Sequence, residues 1–141
     1  MCKTIENSMV FFLGAVGYGI CELVYRGFTH WTMLVLGGVC FLGLYYNQKY
    51  LSSLPLVLRC VSGGVFITSL ELITGSIINL IFGMAVWDYS HLHFNLFGQI
   101  CLQFTLLWML LCLPAFLFCR IIQSSLRKKC TNFSVFSAHN G

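Results

Sequence analysis

Charge is what this sequence has least of. Only 9% of its 141 residues are charged, and four of those are acidic. An ordinary soluble domain carries about a quarter. So few ionic groups cannot keep a surface of this size hydrated, which excludes a soluble globular fold. Recognised catalytic motifs are missing as well. There is no GxxxxGK[ST] loop, no GxSxG elbow and no HExxH pair, which removes Walker-type ATP binding and two hydrolase chemistries. The chain shows none of the ten-residue alternation that marks an outer-membrane barrel. Eight cysteines occur but no CxxC pair. Most lie in apolar runs, where cysteine is a small hydrophobe, and their scatter offers no disulfide framework.

What is present is hydrocarbon in long blocks, with 58% of residues hydrophobic. Four blocks are read at about 8–25, 31–46, 54–82 and 96–122. They predict an all-α polytopic membrane protein, a bundle of four transmembrane helices forming one domain over 1–123. Trp31, Tyr45 and Tyr46 mark the ends of the short second block as interfacial anchors. Ser53 and Pro55 suit the start of the third helix. Arg59 is expected to snorkel back to the headgroups, and Pro114 to kink the fourth helix. Residues 124–141 read as a basic, polar, disordered cytoplasmic tail.

The net charge of +4 matters through its placement. Lys3, Lys49, Arg127, Lys128 and Lys129 fall on one side of a four-crossing chain and only Arg26 on the other. Both termini are therefore expected in the cytoplasm. The run at 127–129 reads as an electrostatic anchor beside the bilayer, and no nucleic-acid partner is expected.

Against this background the acids inside apolar blocks stand out, because a carboxylate in lipid must face protein, water or a cation. Helical spacing groups the polar residues into stripes. Helix one carries Ala15, Gly19, Glu22 and Arg26 on one face. Helix three carries Gly64, Thr68, Glu71, Gly75 and Asn79, and helix four Gly98, Cys101, Thr105, Trp108 and Cys112. These faces should meet. Arg26, four residues after Glu22, is expected to pair with it, and Asp88 in the outer loop to compete for that arginine. Glu71 has no cation near it in sequence. It is expected to be protonated at neutral pH, or else neutralised by Arg26 or a bound cation. Asp88, His91 and His93 could bind a divalent ion, but their spacing matches no zinc pattern and further ligands are missing. No metal and no cofactor are expected. Asn95 is expected to cap helix four.

Several segments then resemble one bacterial membrane family. They are Gly17-Tyr18-Gly19-Ile20 with Glu22 and Tyr25-Arg26-Gly27, then Glu71, then Trp87-Asp88-Tyr89-Ser90, then Asn95 through Gly98 and Cys101 to Leu102. The family is usually labelled putative ABC-transporter permease (type IV). The likeness covers about residues 10–115 and implies a functional centre at Glu22, Arg26, Glu71, Asp88 and Asn95. Trp87, Tyr89, Ser90, Gly98 and Cys101 are its motif residues. Longer members tend to carry a Gly-Pro-Trp-x-Pro segment after helix one, where this chain reads Gly27-Phe28-Thr29-His30-Trp31-Thr32-Met33. It resembles a short variant.

Three functions compete. The first is a small permease-like transport component of the bacterial plasma membrane, acting as a homo-oligomer or with a separate partner subunit. Four helices alone enclose little more than a filled core. The second is a structural or assembly membrane protein with no transport of its own. The third is a membrane enzyme at the outer face using Asp88, His91 and His93, although no ATP-binding or hydrolase motif favours catalysis.

Overall fold

Backbone polar groups inside a bilayer have no water to bond, so an apolar chain satisfies them within its own helices. A computed structural model describes the backbone of residues 2–139 and the side chains of residues 3–126. Helix α1 is Cys2–Arg26, α2 is Trp31–Tyr50, and α3 is Leu56–Gly75. A π-helical turn, Ser76–Ile81, continues α3. After an irregular loop, two-residue strands β1 (Asn95–Leu96) and β2 (Ile100–Cys101) form an antiparallel hairpin that leads into α4 (Leu102–His139). The tail expected over 124–141, with Arg127, Lys128 and Lys129, falls almost wholly outside the described side chains.

Among the described residues, three helices are long and apolar enough to cross a membrane: Lys3–Arg26, Leu56–Ile81 and Leu102–Leu126. Helix α2, the fourth expected span, is not among them. Tyr45, Tyr46, Asn47 and Gln48 dilute its apolar content. Its position makes that tolerable. Helix α2 packs against α1, α3 and α4, and Met33, Leu36, Leu44 and Tyr45 on it are buried. A helix wrapped by its neighbours needs fewer lipid-compatible side chains than one facing acyl chains.

Partners for polar groups explain the other boundary shifts. Helix α1 begins before the expected residue 8. Glu6 accepts a hydrogen bond from the Tyr45 hydroxyl and lies 3.7 Å from Lys49 Nζ. Asn7 Oδ1 accepts from the Tyr46 hydroxyl at 2.8 Å. Helix α2 runs past residue 46 to Tyr50, and Asn47 Nδ2 donates to Ser62 Oγ at 2.8 Å. Arg59 does not snorkel. It is buried, donates to Gln48 Oε1, and stacks 4.5 Å above the Phe116 ring. Pro55 occupies the cap position ahead of Leu56 with no side-chain cap bond. Helix α4 runs through Pro114. The α1–α2 crossing is close because a Cβ on Gly37 would lie 2.4 Å from Tyr18 Cβ, so only glycine fits there.

Candidate functional site

The C-terminal end of α1 carries the first cluster. Arg26 Nη2 donates to Glu22 Oε1 at 2.5 Å, one turn along the same face. Thr29 Oγ1 donates to Glu22 Oε2 at 2.8 Å, and Arg26 Nη1 donates to the Val86 carbonyl at 3.0 Å. Both oxygens of Glu22 are thus satisfied, one of them by a charge-assisted bond, although the residue is only 7% exposed.

A second cluster ties the loop between Ile81 and Asn95 to the end of α3. Asn79 lies in the π turn, the kind of local insertion that often marks a site. Its Nδ2 donates to the Trp87 carbonyl at 3.0 Å and to Gln99 Oε1 at 2.8 Å. Its Oδ1 accepts from the Val86 amide at 2.8 Å. Trp87 Nε1 donates to the Gln99 carbonyl, and Gln99 Nε2 to the Phe97 carbonyl, both at 3.0 Å. Tyr89 joins through its amide, which donates to the Gly98 carbonyl at 2.7 Å.

The loop acids and amides lie differently from the sequence expectation. Asp88 does not reach Arg26. Its carboxylate is exposed and accepts from the Ser90 amide at 2.8 Å and the Ser90 hydroxyl at 2.9 Å. Those bonds, the amide foremost, hold its carboxyl below the usual range. The reason is competition: donors two residues away close an Asx turn at little cost, while Arg26 is already engaged by Glu22 and Val86. Nor does Asn95 cap α4, which starts only at Leu102. Asn95 Nδ2 donates to the Leu92 carbonyl at 2.7 Å, and its Oδ1 accepts from the Gly98 amide at 3.1 Å, shaping the hairpin turn. Gly98 sits before α4 rather than on its face, at φ +68, and a Cβ there would meet Asp88 Oδ1 at 2.7 Å. Cys101 is buried in β2, and its carbonyl accepts from Thr105 Oγ1 at 3.0 Å.

Glu71 forms the third element. It is 2% exposed in α3. Its Oε2 accepts from Trp108 Nε1 of α4 at 2.7 Å, while its Oε1 is buried without a hydrogen-bond partner. One turn away, Thr68 and Thr105 hydroxyls meet at 3.2 Å, so the polar faces of α3 and α4 do face each other. Among the described residues, the salt bridges are Arg26–Glu22 and Lys49–Glu6, and Glu71 has none.

A cleft of about 400 Å³ opens between α1 and α4. Glu22 and Arg26 stand in one wall, Trp108 in the other, and Trp87 and Tyr89 line it from the loop. Tyr18 and Trp108 meet across it with centroids 5.9 Å apart, and Tyr25 and Phe104 at 6.3 Å. Of the five predicted centre residues, Glu22 and Arg26 line this space, and Glu71 stands behind Trp108. Asp88 and Asn95 are outside it, organising the loop. A larger concavity, about 500 Å³, lies on α1 from Thr4 to Val16, but one helix supplies every wall. Among the described residues, no three His, Cys, Asp or Glu side chains come together as metal ligands.

Sequence reasoning overlooked Gln99 and Glu6 as partners. Gln99 is an amide buried to 3% exposure inside an apolar segment, which is itself a signal. Glu6 falls at successive four-residue steps from Glu22 through Val10, Gly14 and Tyr18, so its helical face was visible.

A family model described as "Putative ABC-transporter type IV" matches residues 5–138. No curated protein and no solved structure matches.

Proposed function

This chain belongs to the Putative ABC-transporter type IV family, and from that premise we propose that it is a permease-like transport component of the bacterial plasma membrane. Its four helices all cross the bilayer, α2 included, with both termini in the cytoplasm. A helix of 20 residues spans about 30 Å, the thickness of the hydrocarbon layer. Four helices of this length enclose little more than a side-chain core, so a solute path lies between copies of this chain or beside a separate partner subunit.

The observation that carries the reading is Glu71. An acid buried this far, bonded through one oxygen and with the other unpartnered, is costly for packing alone. It suits a group that takes up and releases a proton or cation. The Glu22–Arg26 pair at the outer end then gates access.

The test is flux. Proteoliposomes containing the full chain, loaded with a pH-sensitive dye and given potassium or sodium gradients, are expected to show proton or cation movement. Glu71→Gln should abolish it. Flux that persists unchanged in that variant removes Glu71 from the mechanism.

A second reading, an assembly protein, draws on the Asn79–Gln99–Trp87 network, whose bonds serve structure alone. Under it, Glu71→Gln alters complex formation and no flux is seen in any preparation.

A further inference from the structure

The cleft between α1 and α4 has walls of an unusual kind. Six of the residues lining it are aromatic: Tyr18, Tyr25, Trp87, Tyr89, Phe104 and Trp108. They come from two helices and the outer loop, so they surround the space rather than stack along one side of it. The ring faces of tyrosine and tryptophan attract positive charge, and aromatic cages are how proteins commonly hold quaternary cations.

The charges around the cleft have the same sense. Glu22 and Arg26 in the wall neutralise each other at 2.5 Å. Behind Trp108 stands Glu71, with Oε1 unpartnered and no positive residue within salt-bridge distance among the described residues. Beside the two carboxyl groups stands one guanidinium, already bonded to Glu22, and neither lysine nor a second arginine lines the space. About 400 Å³ holds a drug-sized molecule. The rims are apolar and open: Ile20, Val24 and Leu107 are 56%, 84% and 40% exposed. On a membrane-embedded helix pair, that opening faces acyl chains.

We propose that this cleft binds a lipophilic organic cation, a bulky monovalent ion with apolar substituents, entering sideways from the bilayer. The apolar substituents lie against Phe104 and the rim, and the charge rests among the tyrosine and tryptophan faces with Glu22 and Glu71 behind them. This names a substrate class for the transport reading and rests on it, so binding is measured apart from flux and each can fail alone.

The experiment uses two probes of nearly the same size and shape and opposite charge. Tetraphenylphosphonium and tetraphenylborate are titrated into the purified full chain in uncharged detergent, read by tryptophan fluorescence. Trp87 and Trp108 line the cleft, and Trp31, 64% exposed outside it, is replaced by phenylalanine. The phosphonium is expected to quench saturably and to bind at least tenfold more tightly than the borate. Trp108→Leu, which removes a ring face, should weaken phosphonium binding about tenfold. Glu22→Gln leaves Arg26 without its counter-ion and should reverse the preference toward the borate.

Equal or tighter binding of the borate to the chain carrying only the Trp31 replacement, in which every cleft residue is native, overturns the proposal. Displacement of the phosphonium by phosphatidylglycerol, with the borate also displaced, makes the cleft a lipid site and overturns it too. Phosphonium binding without flux in proteoliposomes keeps the site and removes the transport reading. Proton or metal-cation flux without phosphonium binding does the reverse.

Discussion

Glu22 and Glu71 are the same side chain at two depths of one bundle, and the protein treats them differently. Around Glu22, at the mouth of the cleft, every bond is made: a guanidinium on one oxygen and a hydroxyl on the other. Around Glu71, in the interior of α3, one indole N–H is all that is supplied. The first region is finished structure, and its charge is cancelled in place. The second leaves a donor or acceptor position open inside the protein, where an unmade bond is most costly. Acidity in a membrane is thus not one signal but two, told apart by whether the partners are already present.

The largest way to disturb this contrast is to unmake Glu22's pairing. Arg26→Ala strands a carboxylate of 7% exposure with a single hydroxyl donor. Breaking a buried pair from one side typically costs 3–5 kcal/mol. Because the Arg26 side chain is 21% exposed, a loss of about 3 kcal/mol is expected, seen as a lowered midpoint in denaturant titration of micelle-embedded protein. A loss below about 1 kcal/mol would mean that Glu22 is less committed than its geometry states.

The loop network comes next. Asn79→Ala removes the acceptor for the Val86 amide and the donor to Gln99 Oε1 and the Trp87 carbonyl. Unpaired polar groups in a protein interior cost about 1–3 kcal/mol each. Asn79 is only partly buried, so water compensates in part and about 2 kcal/mol is expected overall. Hydrogen exchange should rise at Val86 and Trp87 before it rises in α2. Exchange rising everywhere at once would show that the loop and bundle unfold as one unit.

These expectations also show what was legible in the sequence. Steps of three and four placed Thr68, Glu71 and Asn79 on one face, and Thr68 does meet Thr105 while Glu71 meets Trp108. That much follows from helical periodicity, which is local. The loop did not yield to the same reasoning. Its path runs through a π turn and through residues at positive φ, Ala85, Phe94 and Phe97. None of these bears glycine's usual mark, so the path of the loop, and with it the pairing of Asp88 with Ser90, is not written in local sequence. The extent of α2 was hidden for a different reason. Tyr45, Asn47 and Gln48 look like a boundary until α1 and α3 supply the groups they bond.

A smaller effect sharpens the contrast between the two acids from the other side. Glu71→Gln keeps an oxygen to accept from Trp108 Nε1, removes the ability to ionise and puts an amide NH2 where Oε1 has no partner. Stability should fall by about 1 kcal/mol, the low end of the cost of a buried unpaired donor, because the hydrogen bond to Trp108 stays in place, even where flux is lost. Arg26→Ala and Glu71→Gln measured in one detergent series would then differ by several-fold in denaturation midpoint shift. A large loss in Glu71→Gln would mean that this carboxylate has an ionic partner after all, and the two acids would no longer be different in kind.

The smallest effect lies outside the bundle, at Asp88. Ser90 holds its carboxyl below the ordinary value, which for an aspartate is about 3.9. The folded state therefore releases the proton more readily than the unfolded chain. Its contribution is fully present above about pH 4, and it disappears as the pH falls through the lower folded value. Because the group is exposed, water already solvates it well and the contribution is slight. The Asn side chain of Asp88→Asn can still accept one bond from Ser90 but carries no charge. Melting temperatures of the two proteins should differ by a degree or so at pH 6 and converge toward pH 3. A gap that stays constant over that range would place its origin in the turn geometry around Gly98 instead of in the carboxylate, since a Cβ at that glycine would meet Asp88 Oδ1 at 2.7 Å whatever its protonation.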